Sequence, residues 1–173
     1  AFMIKIRMKK ISAIILIFCV LFVAEDLYSQ KTGNINATAM VLTRISVTNK
    51  RDLDFGANII PGIQQTVDKT AASSGKFSVS GQPSKQISIL LTLPAQLLNG
   101  SNSMPITFTS TDAGYQLPGG SIVAFNPSVT ATVSFGADGT LDIFLGGKVT
   151  PSTDQVSGVY MGLVTVNLQY SGL

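Results

Sequence analysis

The 173-residue sequence has no histidine, no tryptophan and one cysteine, and only 12% of its residues are charged. Glutamate occurs once, at Glu25. Without histidine, Ser-His-Asp and Cys-His catalysis and histidine-based zinc sites are excluded. The cysteine, Cys19, lies in an apolar run near the N-terminus. The rest of the chain therefore has neither a disulfide nor a thiol, and its core alone must stabilise it. Beyond residue 30, lysine and arginine are scattered, so the basic patch expected of a nucleic-acid binder is missing as well.

What is present begins with an export signal. Lys5, Arg7, Lys9 and Lys10 form a basic segment. "ISAIILIFCVLFVA" (Ile11 to Ala24) follows, too short to span a bilayer but long enough for the apolar part of a signal peptide. A start at Met3 or Met8 and cleavage around Ser29 or Gln30 are expected, which makes residues 1–30 the signal peptide. Phe18 before Cys19, with the apolar run continuing beyond, argues against lipidation. Residues 31–173 keep eight basic and seven acidic side chains, a net charge of +1, so the basicity of the whole sequence belongs to its leader.

The remainder is rich in Thr, Ser, Val, Ile, Gly and Asn and poor in helix formers, as β-proteins are. Apolar residues alternate with period two in "GKFSVSG" (75–81), "QISILLTL" (86–93), "MPITFTS" (104–110), "SVTATVSFG" (128–136), "TLDIFLGG" (140–147) and "VYMGLVTVNLQY" (159–170). Gly, Pro, Asn and Asp clusters separate them, and "GADGT" (136–140) has the residues of a hairpin turn. Seven to nine short strands without a helical period predict an all-β fold. An Ig-like antiparallel β-sandwich with Greek-key connections is the first expectation and a closed barrel the alternative.

Two carboxylate pairs remain as candidates for chemistry. Asp52 and Asp54 in "RDLDFG" would share one face of a strand, as an acid/base pair or a cation clamp. The simpler expectation has Leu53 and Phe55 in the core and both aspartates in water or capping a turn. Asp138 and Asp142 flank the expected hairpin turn, with too few oxygen ligands nearby for calcium. "LPGGS" and "LGGK" lack P-loop spacing and read as turns, and "NAT" (36–38) and "NGS" (99–101) match the glycosylation acceptor pattern. No catalytic residue, cofactor, metal or small-molecule substrate is expected, and no enzymatic activity.

The two ends of the remaining chain carry more information. "NINATAMVLTRISVTNKRDLDFG" (34–56) places Ile35, Ala37, Ala39, Val41, Thr43, Ile45 and Val47 on one face, twice the length of an ordinary strand. At the other end, Val164, Val166, Leu168 and Tyr170 share a face in "GVYMGLVTVNLQYSGL", a strand that should be buried between neighbours rather than left at an edge.

"ATAMVLTRISVTNKRDLDFG" and "GVYMGLVTVNLQY" together resemble the bacterial domain-of-unknown-function family numbered 4402, whose members are secreted β-sandwich proteins. More loosely, the chain is similar to chaperone-usher fimbrial subunits, in having a glycine in the last strand, Gly158 or Gly162, and a near-terminal tyrosine, Tyr170. That likeness implies a sandwich lacking one strand, completed by the N-terminal extension of the next subunit. Residues 31–42 would be the extension, with Ile35, Ala37, Ala39 and Val41 filling a neighbour's pockets, and 43–173 the sandwich, whose own first strand would be 43–49. Val164, Val166, Leu168 and Tyr170 would form the accepting strand. Pairing in cis, across a kink between sheets, is the alternative. The likeness further implies a secreted, cell-surface fibre subunit, a head-to-tail polymer of itself exported through the periplasm. A periplasmic chaperone and an outer-membrane assembly protein would be its partners. The alternative from another class is a monomeric secreted or surface-attached adhesin, with loops 94–103 and 112–127 presenting a ligand surface.

Overall fold

A computed structural model describes residues 35–172. The expected signal peptide lies outside these residues. The chain divides into two units, Ala1–Met40 and Val41–Leu173. Of the first, residues 35–40 are described; they are exposed and belong to no strand.

The second unit is an antiparallel β-sandwich, and no helix occurs among the described residues. One five-stranded sheet runs in the order β1 (Ser46–Arg51), β3 (Gly75–Ser80), β10 (Thr140–Leu145), β7 (Ala113–Gln116), β8 (Val123–Phe125). Facing it is a three-stranded sheet, β12 (Thr165–Tyr170), β4 (Gln86–Thr92), β9 (Ala131–Ser134). A four-stranded sheet extends one end of the molecule: β2 (Gln65–Val67), β11 (Gly147–Val149), β6 (Asn102–Thr107), β5 (Gln96–Asn99). Neighbours are mostly not consecutive in sequence, as in a Greek key rather than a meander. The first sheet ends at β1 and the second at β12, so the described strands form a sandwich with edges, not a closed barrel.

Alternation decides which side chains make the core. In β4, Ile87, Ile89 and Leu91 point inward and are buried, as are Val79 of β3, Leu141 and Ile143 of β10 and Val133 of β9. Each such side chain contributes about 1.5–3 kcal/mol through removal of its apolar surface from water. Phe144, on the other face of β10, is covered by Lys76, whose ammonium lies 5.1 Å from the ring centroid and pairs with Asp142 at 2.9 Å. A second cluster, Met104, Ile106 and Val149, fills the end formed by β5, β6 and β11.

The period-two runs at 75–81, 86–93 and 140–147 match β3, β4 and β10 closely. Several other expectations need correction. The "GADGT" turn joins no hairpin, because β9 pairs with β4 and β10 with β3 and β7. It carries the chain from one sheet to the other, and Asp138 stabilises it by accepting from the Thr140 N–H at 3.1 Å. "LGGK" is not a turn: Gly146 divides β10 from β11 as the strand passes into the next sheet. The short strands β2, β5, β7 and β8 were hidden among turn residues, which alternate over too few positions to register.

The largest correction concerns the two ends. The first strand is not 43–49 but Ser46–Arg51, and nothing from 35 to 45 joins a ladder. The last strand starts at Thr165 rather than Val159. Ahead of it the chain touches a neighbour's backbone through one bridge, Leu98 with Met161. Moreover β12 is not buried between two strands: it ends its sheet, with β4 on one side. Alternation marks side chains suited to a sheet, but a strand also requires a partner for its N–H and C=O groups.

Candidate functional site

One open side of the sandwich lies between β1 and β12, while β8 and β9 end the same two sheets at their other edges. β1 pairs only with β3, β12 only with β4, and the two run in separate sheets over a shared core. Their inward rows are incompletely covered. Val47 of β1 remains exposed although its partner across the ladder, Val79, is buried. Val166, Leu168 and Tyr170 of β12 are half-buried, while Leu91, Ile89 and Ile87, directly opposite on β4, are buried. A missing neighbour leaves this signature on a strand.

Toward the Arg51 end this side widens into an apolar cavity of about 840 Å³. Phe77, Leu145, Leu97, Met104 and Ile106 line it from the sheets, Leu53, Phe55 and Ile59 from the segment after β1, and Tyr160 and Val164 from the segment before β12. Val159, Met161 and Leu163 of that last segment are 75%, 71% and 80% exposed, so residues 159–164 are apolar on both faces. Such two-sided apolar stretches are characteristic of strands with cover on each side.

The polar rim is used for structure. Arg51 is half-buried and ties down the start of β3: its Nε donates to the Ser74 carbonyl and its Nη2 to Ser74 Oγ at 2.8 Å. Asp52 accepts from Asn49 Nδ2 at 2.7 Å and Asp54 from the Gly56 N–H at 2.8 Å. Both aspartates are exposed while Leu53 and Phe55 are half-buried, the simpler of the two sequence expectations. Asp138 and Asp142 do not form a pair, one holding a turn and the other Lys76. Tyr160 donates to the Val156 carbonyl at 2.7 Å and accepts from Gln155 at 2.6 Å, which fixes the cavity wall.

Two carboxyls are held below the ordinary range. Asp68 accepts from the Thr70 hydroxyl and N–H, and Asp154 is lowered chiefly by Ser152. Both sit in turns and neither lines the cavity. Among the described residues no cluster of three His, Cys, Asp or Glu could hold a metal ion, and no helix is long and apolar enough to cross a membrane.

The site residues expected from sequence separate into three groups. Val164 lines the cavity, and Val166 and Leu168 continue its wall along β12. Tyr170 stands at the opposite end, where its hydroxyl accepts from the Gln82 N–H at 2.7 Å and donates to the Thr43 carbonyl. Ile35, Ala37, Ala39 and Val41 are exposed and in no strand. The cavity floor, contributed by β5 and β6, is not legible in the sequence: β5 lies among turn residues, and β6 looks like any core strand until the fold brings it beneath the opening.

The fold and this opening define a class: a β-sandwich with unpaired edge strands and an apolar groove between two of them, β1 and β12. The chain belongs to the family described as Domain of unknown function (DUF4402), whose model matches residues 62–170. The matched segment includes the final strand but starts after "DLDFG", the N-terminal part of the resemblance. No curated protein matches the chain significantly. Among solved structures, a chain described under "Chaperone-tip adhesin complex is vital for synergistic activation of CFA/I fimbriae biogenesis" aligns with a TM-score of 0.43 at 12% identity. The alignment covers 73% of this chain and 42% of that one, so the present chain spans less than half of its length.

Proposed function

We propose that the protein is a non-enzymatic structural subunit of a cell-surface fibre, assembled by strand addition between copies. The observation that carries this reading is the open side between β1 and β12, where two edge strands and an apolar cavity leave room for one more strand. The occupant is the N-terminal extension of a second copy, residues 31–42. Its alternating Ile35, Ala37, Ala39 and Val41 are small to medium in size, suited to successive positions over Val166 and Val164 and into the cavity. Main-chain pairing would satisfy the free edges, and side-chain burial would complete the half-covered rows.

Direction supports an open polymer. Val41–Thr43 enters the sandwich at the Tyr170 end, whereas the cavity lies at the Arg51 end of β1. A segment that leaves one end of a subunit and fills the opposite end of the next makes a head-to-tail contact that does not close. Export through the periplasm, a periplasmic chaperone covering the groove before assembly, and an outer-membrane assembly protein complete the proposal. Electron microscopy of material sheared from producing cells, with mass spectrometry of the fibres, tests it. Fibres containing residues 31–173 are expected; a monomer that binds a surface ligand and never polymerises would favour the adhesin reading instead.

A further inference from the structure

We infer that Tyr170 and Gln82 form a latch that roots the N-terminal arm at the end of the sandwich opposite its own cavity, biasing the arm toward a neighbour. This inference rests on the strand-addition reading and adds a control on whether addition occurs in cis or in trans.

Thr43 is the residue held. Its N–H and its hydroxyl both donate to Gln82 Oε1, at 3.2 and 2.9 Å. Its carbonyl accepts from the Tyr170 hydroxyl, which in turn accepts from the Gln82 N–H at 2.7 Å. Every polar group of Thr43 is thereby committed, although the residue is exposed and outside any ladder. Such attachment is unusual for an exposed residue near a chain's entry, where water can satisfy the same groups.

The site is shaped for the tyrosine. Gly81 faces the Phe135 ring and the tyrosine hydroxyl: a Cβ there would lie 2.6 Å from Phe135 Cε2 and 2.9 Å from the Tyr170 hydroxyl. Its N–H is bonded to the Gly139 carbonyl at 2.8 Å, which fixes the backbone that presents Gln82. The tyrosine ring packs on the central core, so the hydroxyl cannot follow the arm if the arm turns away.

β1 alone, from Ser46 to Arg51, spans about 17 Å at the usual strand rise. To fill the cavity of its own subunit, the arm would have to reverse next to Thr43 and run back along that length. A reversal at Thr43 itself rotates its peptide planes and breaks the bonds to Tyr170 and Gln82, so with the latch closed the turn falls to residues before Thr43 and less of the arm is left to run back. The latch thus penalises self-insertion and leaves insertion into another copy unaffected.

The test uses the full mature chain, residues 31–173, with Tyr170→Phe and Gln82→Ala, alone and together. Two readouts are needed: the ratio of polymer to closed monomer by light scattering, and uptake of a labelled peptide of residues 33–43. A chain carrying Ala37→Asp and Ala39→Asp, whose own arm cannot insert, reports groove integrity. In this background peptide affinity should not change with Gln82→Ala, which lies outside the accepting row. With the native arm, Tyr170→Phe, which removes one bond to Thr43, should raise the closed, peptide-refractory monomer about two- to tenfold, and Gln82→Ala, which removes two, at least as much. Gln82→Ala leaves the tyrosine ring packed and carries the test if Tyr170→Phe disturbs the fold. Unchanged polymer-to-monomer ratios with peptide binding intact would overturn the latch while leaving strand addition standing. An arm-disabled chain that fails to bind the peptide would overturn both.

Discussion

β4 and β12 lie side by side in one sheet with nearly the same pattern, yet they are in opposite situations. β4 has β12 and β9 as partners, and its inward residues Ile87, Ile89 and Leu91 are buried. β12 has β4 alone, and its inward Val166, Leu168 and Tyr170 are half-buried. The same alternation yields a finished core row in one strand and an unfinished one in the next. The difference lies in what stands on the far side: a strand of this chain for β4, an open edge for β12.

The comparison is broken most severely by cutting into the finished row. Ile89→Ala should lower unfolding free energy by about 2–5 kcal/mol, the usual cost of a large core truncation, in urea titration of the arm-disabled monomer. Leu168→Ala should cost about half as much in that monomer, because its surface is already partly wet, and approach the Ile89→Ala value in assembled material. Equal costs for the two substitutions in the monomer would mean that β12 is as complete as β4.

Smaller effects sharpen the contrast. Asp52→Asn and Asp54→Asn each retain an acceptor oxygen for the bonds they make, so each should change stability by less than about 1 kcal/mol in thermal melts. Removing the Thr70 hydroxyl acts at neutral pH and fades in acid. Asp68 has a lowered pKa in the folded chain, so its contribution is present above the unfolded value and lost as pH falls through the folded one. Thr70→Val should therefore lower stability slightly at neutral pH, with the difference from the native chain vanishing as pH falls through the folded pKa of Asp68; the effect is small because Asp68 is exposed and water screens it.

How far these features were legible in the sequence depended on whether they were local. The inner rows of β3, β4 and β10 follow from side-chain alternation, and the simpler reading of "RDLDFG" follows from its own spacing. The open edge did not, since "VYMGLVTVNLQY" reads as one strand while only Thr165–Tyr170 forms a ladder and Met161 makes a single bridge. Its first half differs in having apolar residues on both faces, Val159, Met161 and Leu163 outward and Tyr160 and Val164 inward. That doubling was visible, but it does not say whether cover comes from the same chain. "GADGT" shows the converse limit: its residues fit a hairpin, yet the partners of β9 and β10 lie in different sheets.

The central claim is that β1 and β12 are edges awaiting a strand from another copy. Amide hydrogen exchange, compared between the arm-disabled monomer and the assembled native chain, tests it most directly. Successive amides of an edge strand point alternately toward its partner and away from it. In the monomer, β12 amides directed at β4 should be protected and those facing the open side should exchange quickly. Assembly should slow this second set, together with the outward amides of β1, and leave β4 unchanged. Assembled material in which the open-side amides of β12 and β1 exchange as fast as in the monomer would contradict the account.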